Sequence, residues 1–487
     1  MAQSTSPKHL HIGLFPFMSK GHTIPILHLT KLIHNHRPQA TFTIFTTPAN
    51  EPFILASLSS LPPNTINTIS LPFSTTDDIP AGVESTDQLP SISLFHSFAL
   101  ATAKLQPLFE TALEYIQKSQ NPISFLISDG FLYWTHESAS QFNITRLVFY
   151  GMNMYASTIS MIVSQNGLLS RLNSNDELIQ VPDFPRIKLS KYDFDPTFMM
   201  KFDSQSQVSD FLMKCGKSVS TCNGMVVNSF YELEQPFIDY SNSTQPIKSW
   251  CVGPFCMADK PTLERSEKPL WIRWLDKKQS EGKPVLYVAF GSQAEISDEQ
   301  LKEIAIGLEK SGVLFLWVLR IKSKQENVME GFEERTKEQG LIVRGWVEQR
   351  EILAHESVQG FLSHCGWNSA LESICAGVPI LAWPMMAEQH LNAKMVDEEI
   401  NVGLRVETCD GLPRGFVKWE GLSKMVKELM EGEMGKKVRM NVKKLSEVAK
   451  KSVEEGGSSW GNLDTLLNEL EIGWIKHVMK DQKTMDI

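Results

Sequence analysis

Val358–Ser363, the turn His364-Cys365-Gly366-Trp367-Asn368-Ser369, and Ala370–Ala376 read as a buried strand, a turn and a helix stopped by Gly377. A strand that feeds a helix through a glycine-containing turn makes an anion site, because the first N–H groups and the positive end of the helix dipole converge there. His364, Asn368 and Ser369 add side-chain donors at the same point, and the fitting guest is a phosphate or diphosphate. The same residues carry another reading: Ser369-Ala370-Leu371-Glu372 fits a capping box, which satisfies the amides with no ligand. Glu372, one helical turn beyond Ser369, could instead accept two ribose hydroxyls, and local spacing does not choose between the two. Neither the dinucleotide glycine fingerprint nor the P-loop pattern occurs. A second chemical locus is Gly21-His22-Thr23-Ile24-Pro25, where a histidine follows the first apolar run and Pro25 stands in the first turn of a helix. Asp129 ends another apolar run, so both side chains project from one sheet edge as a base and its orienter, or as a surface histidine and a turn cap.

The elements that must position these groups alternate. His9–Phe17, Ala40–Thr46, Ile66–Leu71, Ile123–Ser128 and Thr145–Tyr150 read as strands, with helices over Pro25–Asn35 and Trp134–Gln141. A second series follows: strands at Val285–Phe290, Leu314–Leu319, Leu341–Val343, Val358–Ser363 and Val378–Ala382, with a helix over Asp298–Ser311. Each series predicts a doubly wound parallel sheet, and two such domains are expected to face a cleft. Residues 165–223 are less periodic, and the chain is helical from about Trp419. The expected boundaries are 1–252, a Pro-punctuated linker at 253–270, a second domain over 271–465, and a helical tail at 466–487 that packs back on the first domain.

At 487 residues the chain exceeds one core, and 42% hydrophobic with 21% charged residues is a globular mixture. Forty-seven basic residues against 56 acidic ones, a net charge of −9, argue against nucleic acid as a partner. No apolar run is long enough to span a membrane, no secretory pattern opens the chain, and the seven cysteines include no C-x-x-C pair. Reduced, buried thiols in a cytoplasmic, monomeric protein are the expectation.

The spaced residues Trp346, Gln349, His364-Cys365-Gly366-Trp367-Asn368-Ser369, Glu372, Gly377-Val378-Pro379, Pro384 and Glu388-Gln389 form a box of 44 residues. This box resembles the signature of plant family 1 UDP-dependent glycosyltransferases of secondary metabolism, and the likeness extends from Gly21-His22 to the helical C-terminus. The resemblance implies the two-domain architecture called GT-B, an α/β fold of two Rossmann-like domains. It also implies an enzyme of the hexosyltransferase class that needs no metal or other cofactor, with a UDP-sugar and a small-molecule acceptor as its partners. By that resemblance Trp346 stacks on uracil, the Val347 backbone meets the base edge, and Gln349 and Glu372 face the ribose. Ser292, His364, Asn368 and Ser369 hold the diphosphate, while Trp367, Glu388 and Gln389 read the sugar, the terminal Gln389 looking like a glucose user. Phe131 matches a position of the acceptor pocket. Two residues depart from the pattern: Glu348 stands where the family usually has proline, and Lys20 where glutamine is common.

The implied reaction is inverting transfer of glucose from UDP-glucose to a hydroxyl of a small apolar acceptor, a flavonoid or other phenolic, with His22 as base and Asp129 as its orienter. The alternatives are another UDP-sugar, a terpenoid or steroid acceptor, or a nucleotide-sugar-binding protein without catalysis. Asp193-Phe194-Asp195 matches a metal-binding D-x-D pattern, but its place in the irregular stretch favours a solvated loop.

Overall fold

The computed structural model describes residues 9–74, 78–196, 207–259, 268–320 and 329–485. The chain divides into two compact units, one of residues 1–151, 201–259 and 452–487 and the other of residues 152–200 and 260–451.

The first unit holds a seven-stranded parallel sheet in the order β3-β2-β1-β4-β5-β8-β9. Its strands are β1 (His11–Phe15), β2 (Thr41–Thr46), β3 (Ile66–Ser70), β4 (Phe125–Asp129), β5 (Thr145–Phe149), β8 (Met225–Val227) and β9 (Ser249–Cys251). β1 and β4 are neighbours, with Ile12 opposite Phe125 and Leu14 opposite Ile127, and both are buried at every residue. That is why they read as continuous apolar runs: helices cover both faces of a parallel sheet. One face packs Ile12, Leu14 and Ile127 on Leu29 and Ile33, and the other packs Phe15 and Leu126 on Phe98, Phe109 and Trp134. Leu463, Leu466 and Leu467 of the C-terminal helix Ser458–Met485 lie on the first of these faces, where Arg37 Nη2 meets Asp464 Oδ1 at 2.8 Å.

The helix after β1 spans Lys20–His36, beginning five residues before the expected Pro25. Turn-like Gly21 and His22 are recruited because the Ser19 carbonyl accepts the N–H groups of His22 (2.9 Å) and Thr23 (2.8 Å). Pro25 therefore lies inside the helix rather than in its first turn, and His22 stands in that first turn.

The second unit holds a six-stranded parallel sheet in the order β12-β11-β10-β13-β14-β15. Its strands are β10 (Val285–Ala289), β11 (Leu314–Leu319), β12 (Gly340–Arg344), β13 (Val358–Ser363), β14 (Ile380–Ala382) and β15 (Gly403–Arg405). Along β10, Leu286 and Val288 face the helices Asp298–Ser311 and Trp419–Glu431, while Val285 and Tyr287 face the helix Leu270–Ser280. This unit also contains the helix Met154–Gln165 and an antiparallel pair, β6 (Ile179–Val181) and β7 (Phe184–Leu189). Residues 152–200 thus cluster with the second unit rather than with the expected 1–252 domain. Asn153 donating to Asn392 Oδ1 (2.9 Å) and Arg186 pairing with Glu399 (3.0 Å) are among the bonds that tie them there. Of the expected linker, Gly253–Asp259 belongs to the first unit, with Phe255 fully buried in its core.

All seven cysteines are free; five are buried, and Cys409, against expectation, is exposed. Among the described residues no helix is long and apolar enough to cross a membrane.

β15 runs so close to β14 that a Cβ on Gly403 would collide with the carbonyl of Ile380, its partner in register. Backbone in a paired strand cannot yield as a side chain can. Gly403→Ala should therefore destabilise the second unit by about 2 kcal/mol and lower its thermal midpoint by roughly 4–8 °C, measured by calorimetry; an unchanged midpoint would refute the close approach.

Candidate active site

In the first unit the strand order reverses between β1 and β4, the crevice where doubly wound sheets present ligand-binding groups. His22 follows β1 and Asp129 ends β4. Their side chains meet there, His22 Nδ1 lying 2.7 Å from Asp129 Oδ2. Asp129 is 1% exposed at its side chain and accepts the Phe131 N–H at 2.9 Å through its other oxygen, so its negative charge is met by two donors. A carboxylate so placed fixes the Nδ1–H tautomer and leaves Nε2 as the basic nitrogen.

Aromatic rings enclose the imidazole. Phe131 stands 4.9 Å from it and Phe17 5.6 Å, centroid to centroid, and Phe131 in turn contacts Phe95, Tyr150 and Phe211. Gly130 is required beside it, since a Cβ there would run into the Tyr150 ring. On their sequence alone Phe17, Trp134 and Phe198–Met200 could also line the wall or pack in the core; Phe17 and Trp134 are fully buried core, and Phe198–Met200 lie outside the described residues. Lys20 places its ammonium 3.5 Å from the Phe53 ring centroid.

The second unit repeats the arrangement at its own reversal, between β10 and β13. Gly291 (φ 78°) and Ser292 follow β10, and His364 follows β13. The His364 ring fits between two glycines: a Cβ on Gly291 would lie 2.6 Å from Nε2, and one on Gly366 2.5 Å from it. Burial pushes its pKa down to about 4, so the imidazole is neutral, and its buried Nδ1 has no partner among the described residues.

The following helix spans Trp367–Ala376 with Gly366 at its N-cap and no side-chain cap. The capping-box reading fails, because the helix begins two residues before Ser369. Ser369 and Glu372 instead share a different partner: Gln349 Nε2 donates to Ser369 Oγ (2.9 Å) and Glu372 Oε2 (2.8 Å). Gln349 Oε1 accepts from the Tyr287 hydroxyl at 3.2 Å. Both Gln349 amide hydrogens are therefore engaged within the protein and orient Glu372, while the amide oxygen, bonded to Tyr287, keeps a second lone pair with which to accept. Burial raises the Glu372 pKa to about 7, against the lowering effect of the Gln349 hydrogen bond.

Trp346 is 48% exposed, with the Arg320 guanidinium 5.4 Å from its ring centroid, so it is not a core aromatic. Trp367 is one, at 2% exposure. Val347 is buried, and Glu348 holds φ −79°, an angle that proline also adopts. Glu388 stands at the N-cap position of the helix Gln389–Lys394 without a side-chain capping bond, and Gln389 is buried with Oε1 accepting from Met385 N (2.9 Å) and Met386 N (3.0 Å). Asn392 of that helix donates to the Cys365 carbonyl (2.9 Å), tying the two turns together.

The UDP-glucoronosyl and UDP-glucosyl transferase family model matches residues 254–455. Over 96% of its length the chain is 55% identical to UDP-glycosyltransferase 90A1 of Arabidopsis thaliana, covering 98% of that protein. The chain belongs to the plant family 1 UDP-glycosyltransferases. Scopoletin glucosyltransferase of Nicotiana tabacum is 36% identical, with 95% of this chain and 98% of that one covered. Among solved structures, Glycyrrhiza uralensis UGT73P12 complexed with glycyrrhetinic acid 3-O-monoglucuronide matches with a TM-score of 0.86 at 28% identity, covering 98% of this chain and 99% of that one. Medicago truncatula UGT71G1 complexed with UDP-glucose matches at 0.78 and 27%, covering 95% and 99%. The fold is GT-B, and the protein is a glycosyltransferase.

In this glycosyltransferase, sequence reasoning missed Phe95, Tyr150 and Phe211, whose contacts with Phe131 have no signal beyond being aromatic. It also missed Tyr287 and Asn392, which brace residues of the box from outside it or from beyond its end. The neutrality of His364 is directly testable. Its imidazole should take up a proton only near pH 4, read by NMR of ¹⁵N-histidine-labelled protein; titration near the ordinary value of 6.5 would contradict the burial.

Proposed function

We propose that this enzyme transfers glucose from UDP-glucose, with inversion, to a hydroxyl of a small aromatic acceptor, and that His22 is the base. The observation that carries the reading is the 2.7 Å contact of His22 with the buried Asp129 inside an aromatic enclosure. Support for the substrates comes from relatives: scopoletin glucosyltransferase and the anthocyanin 3'-O-beta-glucosyltransferase of Gentiana triflora, 35% identical, are named for phenolic acceptors and glucose. The aromatic lining around Phe131 suits a flat, apolar acceptor better than a sugar or a peptide.

In the proposed step the acceptor oxygen forms a bond to the anomeric carbon as its proton passes to His22 Nε2, and the bond from that carbon to the β-phosphate oxygen breaks. Asp129 holds the imidazolium that results. The charge gathering on the departing diphosphate is met by the N-terminus of the Trp367–Ala376 helix, with Ser292, His364, Asn368 and Ser369 as donors. A neutral His364 can donate without trapping the anionic product as a cation would. No metal has a role in this scheme. Trp346 offers its exposed face to uracil, the Val347 backbone meets the edge of the base, and Glu372 accepts the ribose hydroxyls with Gln349 holding its carboxylate. Glu388 and Gln389 read the sugar, together with the backbone of the buried Trp367. We place the enzyme in the cytoplasm as a monomer, in keeping with seven cysteines that form no disulfide.

His22→Ala should lose about 10²–10⁴-fold in kcat while UDP still binds, and Asp129→Asn should lose activity through the wrong tautomer; undiminished turnover of either variant would remove that residue from the mechanism. A pH test addresses Glu372. Its pKa stands near 7, above the usual carboxylate range, so the accepting carboxylate is present above pH 7 and lost as pH falls through 7. Uridine, which has no phosphate to titrate, should bind more weakly as pH drops below 7, by up to about tenfold per unit. Glu372→Gln should abolish the dependence. A flat profile in the wild-type protein would sever Glu372 from the ribose.

A further inference from the structure

Ala387 adopts φ 51°, in the left-handed region that residues with a side chain avoid. It stands immediately before Glu388 and Gln389, so its conformation sets the direction in which both enter their helix. Such a conformation persists only where neighbours hold it. Gln389 Oε1 holds one side of the turn through the N–H groups of Met385 and Met386. The other side is held from 192 residues away, where Asp195 Oδ2 accepts the Ala387 N–H at 2.9 Å.

Asp195 is itself anchored. Asp193 is buried and closes a capping box with Ser190, whose backbone N–H it accepts at 2.8 Å. Arg414 donates to the carbonyls of Tyr192 (3.0 Å) and Phe194 (2.5 Å), on either side of Asp193. All of these residues belong to the second unit. The D-x-D triplet is thus not the solvated loop that its sequence setting suggests. One carboxylate locks the local turn, and the other reaches out to a strained peptide.

We propose that Asp195 is a positioning residue for sugar recognition: by fixing the Ala387 peptide it sets where the Glu388 carboxylate and the Gln389 amide meet the donor sugar. The inference rests on the reading that Glu388 and Gln389 contact the sugar. Trp346 follows β12, His364 follows β13 and Glu372 lies on the helix after it, all outside the Ala387 turn; the Asn392 bond to the Cys365 carbonyl comes from the helix body and does not involve the Ala387 peptide. Losing the Asp195 bond therefore alters the sugar's contribution to binding and spares that of UDP.

Isothermal titration with UDP-glucose, UDP-galactose and UDP, without acceptor, separates the two. In Asp195→Ala, UDP-glucose should bind about tenfold more weakly, with its preference over UDP-galactose reduced and UDP affinity unchanged within about twofold. Asp195→Asn keeps an accepting oxygen and should restore most of the loss. Asp195→Glu keeps the charge but misplaces the acceptor, and should behave like alanine; it serves if the alanine variant does not fold. Donor preference unmoved by Asp195→Ala or Asp195→Glu, or a matching loss of UDP affinity, overturns the proposal. Gln389→Ala is the control for the underlying reading. If it shifts donor preference while the Asp195 variants do not, only the positioning role fails; if it shifts nothing, the sugar-reading assignment fails and the proposal with it.

Discussion

A doubly wound parallel sheet sends its helices to opposite faces on either side of the point where the strand order reverses, and the two strand ends at that point are left without a helix between them. Everything chemical in this protein depends on that constraint. In the first unit it leaves the carboxyl ends of β1 and β4 side by side, so a histidine just past one and an aspartate ending the other meet at 2.7 Å although 107 residues separate them. In the second unit it does the same for β10 and β13, setting the left-handed Gly291 against the His364 ring. Each unit solves the same geometric problem, and the side chains placed at the gap make the difference: a histidine–aspartate pair in one, a buried neutral histidine and a helix N-terminus in the other.

The second site is notable for how its polar groups are held. Gln349 is held at both ends of its amide, by Tyr287 at one end and by Ser369 and Glu372 at the other. Asn392 ties the Cys365 carbonyl to the helix that starts at Gln389. Groups fixed in advance need no reorganisation when charge develops nearby, which is where most electrostatic stabilisation of a transition state comes from. Burial also keeps His364 uncharged. On the proposed reading, His364 therefore meets an anion here as a neutral hydrogen-bond donor rather than as a cation.

Much of this was legible in the sequence because buried parallel strands are apolar on both faces. The central strands were placed to within two residues at either end, and the alternation with helices gave the fold class. The box from Trp346 to Gln389 supplied the family. What escaped was of three kinds. β8, β9 and β15 have three residues each, too few for any period to show. Helix starts were misplaced where backbone carbonyls, not capping side chains, begin them: Ser19 recruits Gly21 and His22, and Gly366 starts a helix that spacing had assigned to Ser369. Long-range braces left no trace at all, since the Asp195–Ala387 bond and the grouping of residues 152–200 with the second unit are properties of packing that no local window contains.

The way Asp129 is satisfied bears on how such an enzyme can accept different acceptors on one catalytic frame. A carboxylate removed from water must have its oxygens paired or lose its charge. One oxygen of Asp129 takes the His22 imidazole and the other takes the N–H of Phe131, the residue whose ring lies nearest that imidazole on the aromatic side. The bond to Asp129 comes from the backbone of residue 131, while the lining of the enclosure comes from its side chain. Any residue except proline supplies the N–H, so the shape and polarity of the enclosure can change at this position while the charge on Asp129 stays compensated. Gly130 is constrained in the opposite way: its missing side chain is what admits the Tyr150 ring, so a change there disturbs the enclosure and the strand end that carries Asp129 together. On the proposed reading, selectivity and catalysis are therefore separable at one residue and coupled at its neighbour, a distinction set by whether the backbone or the absent side chain does the holding.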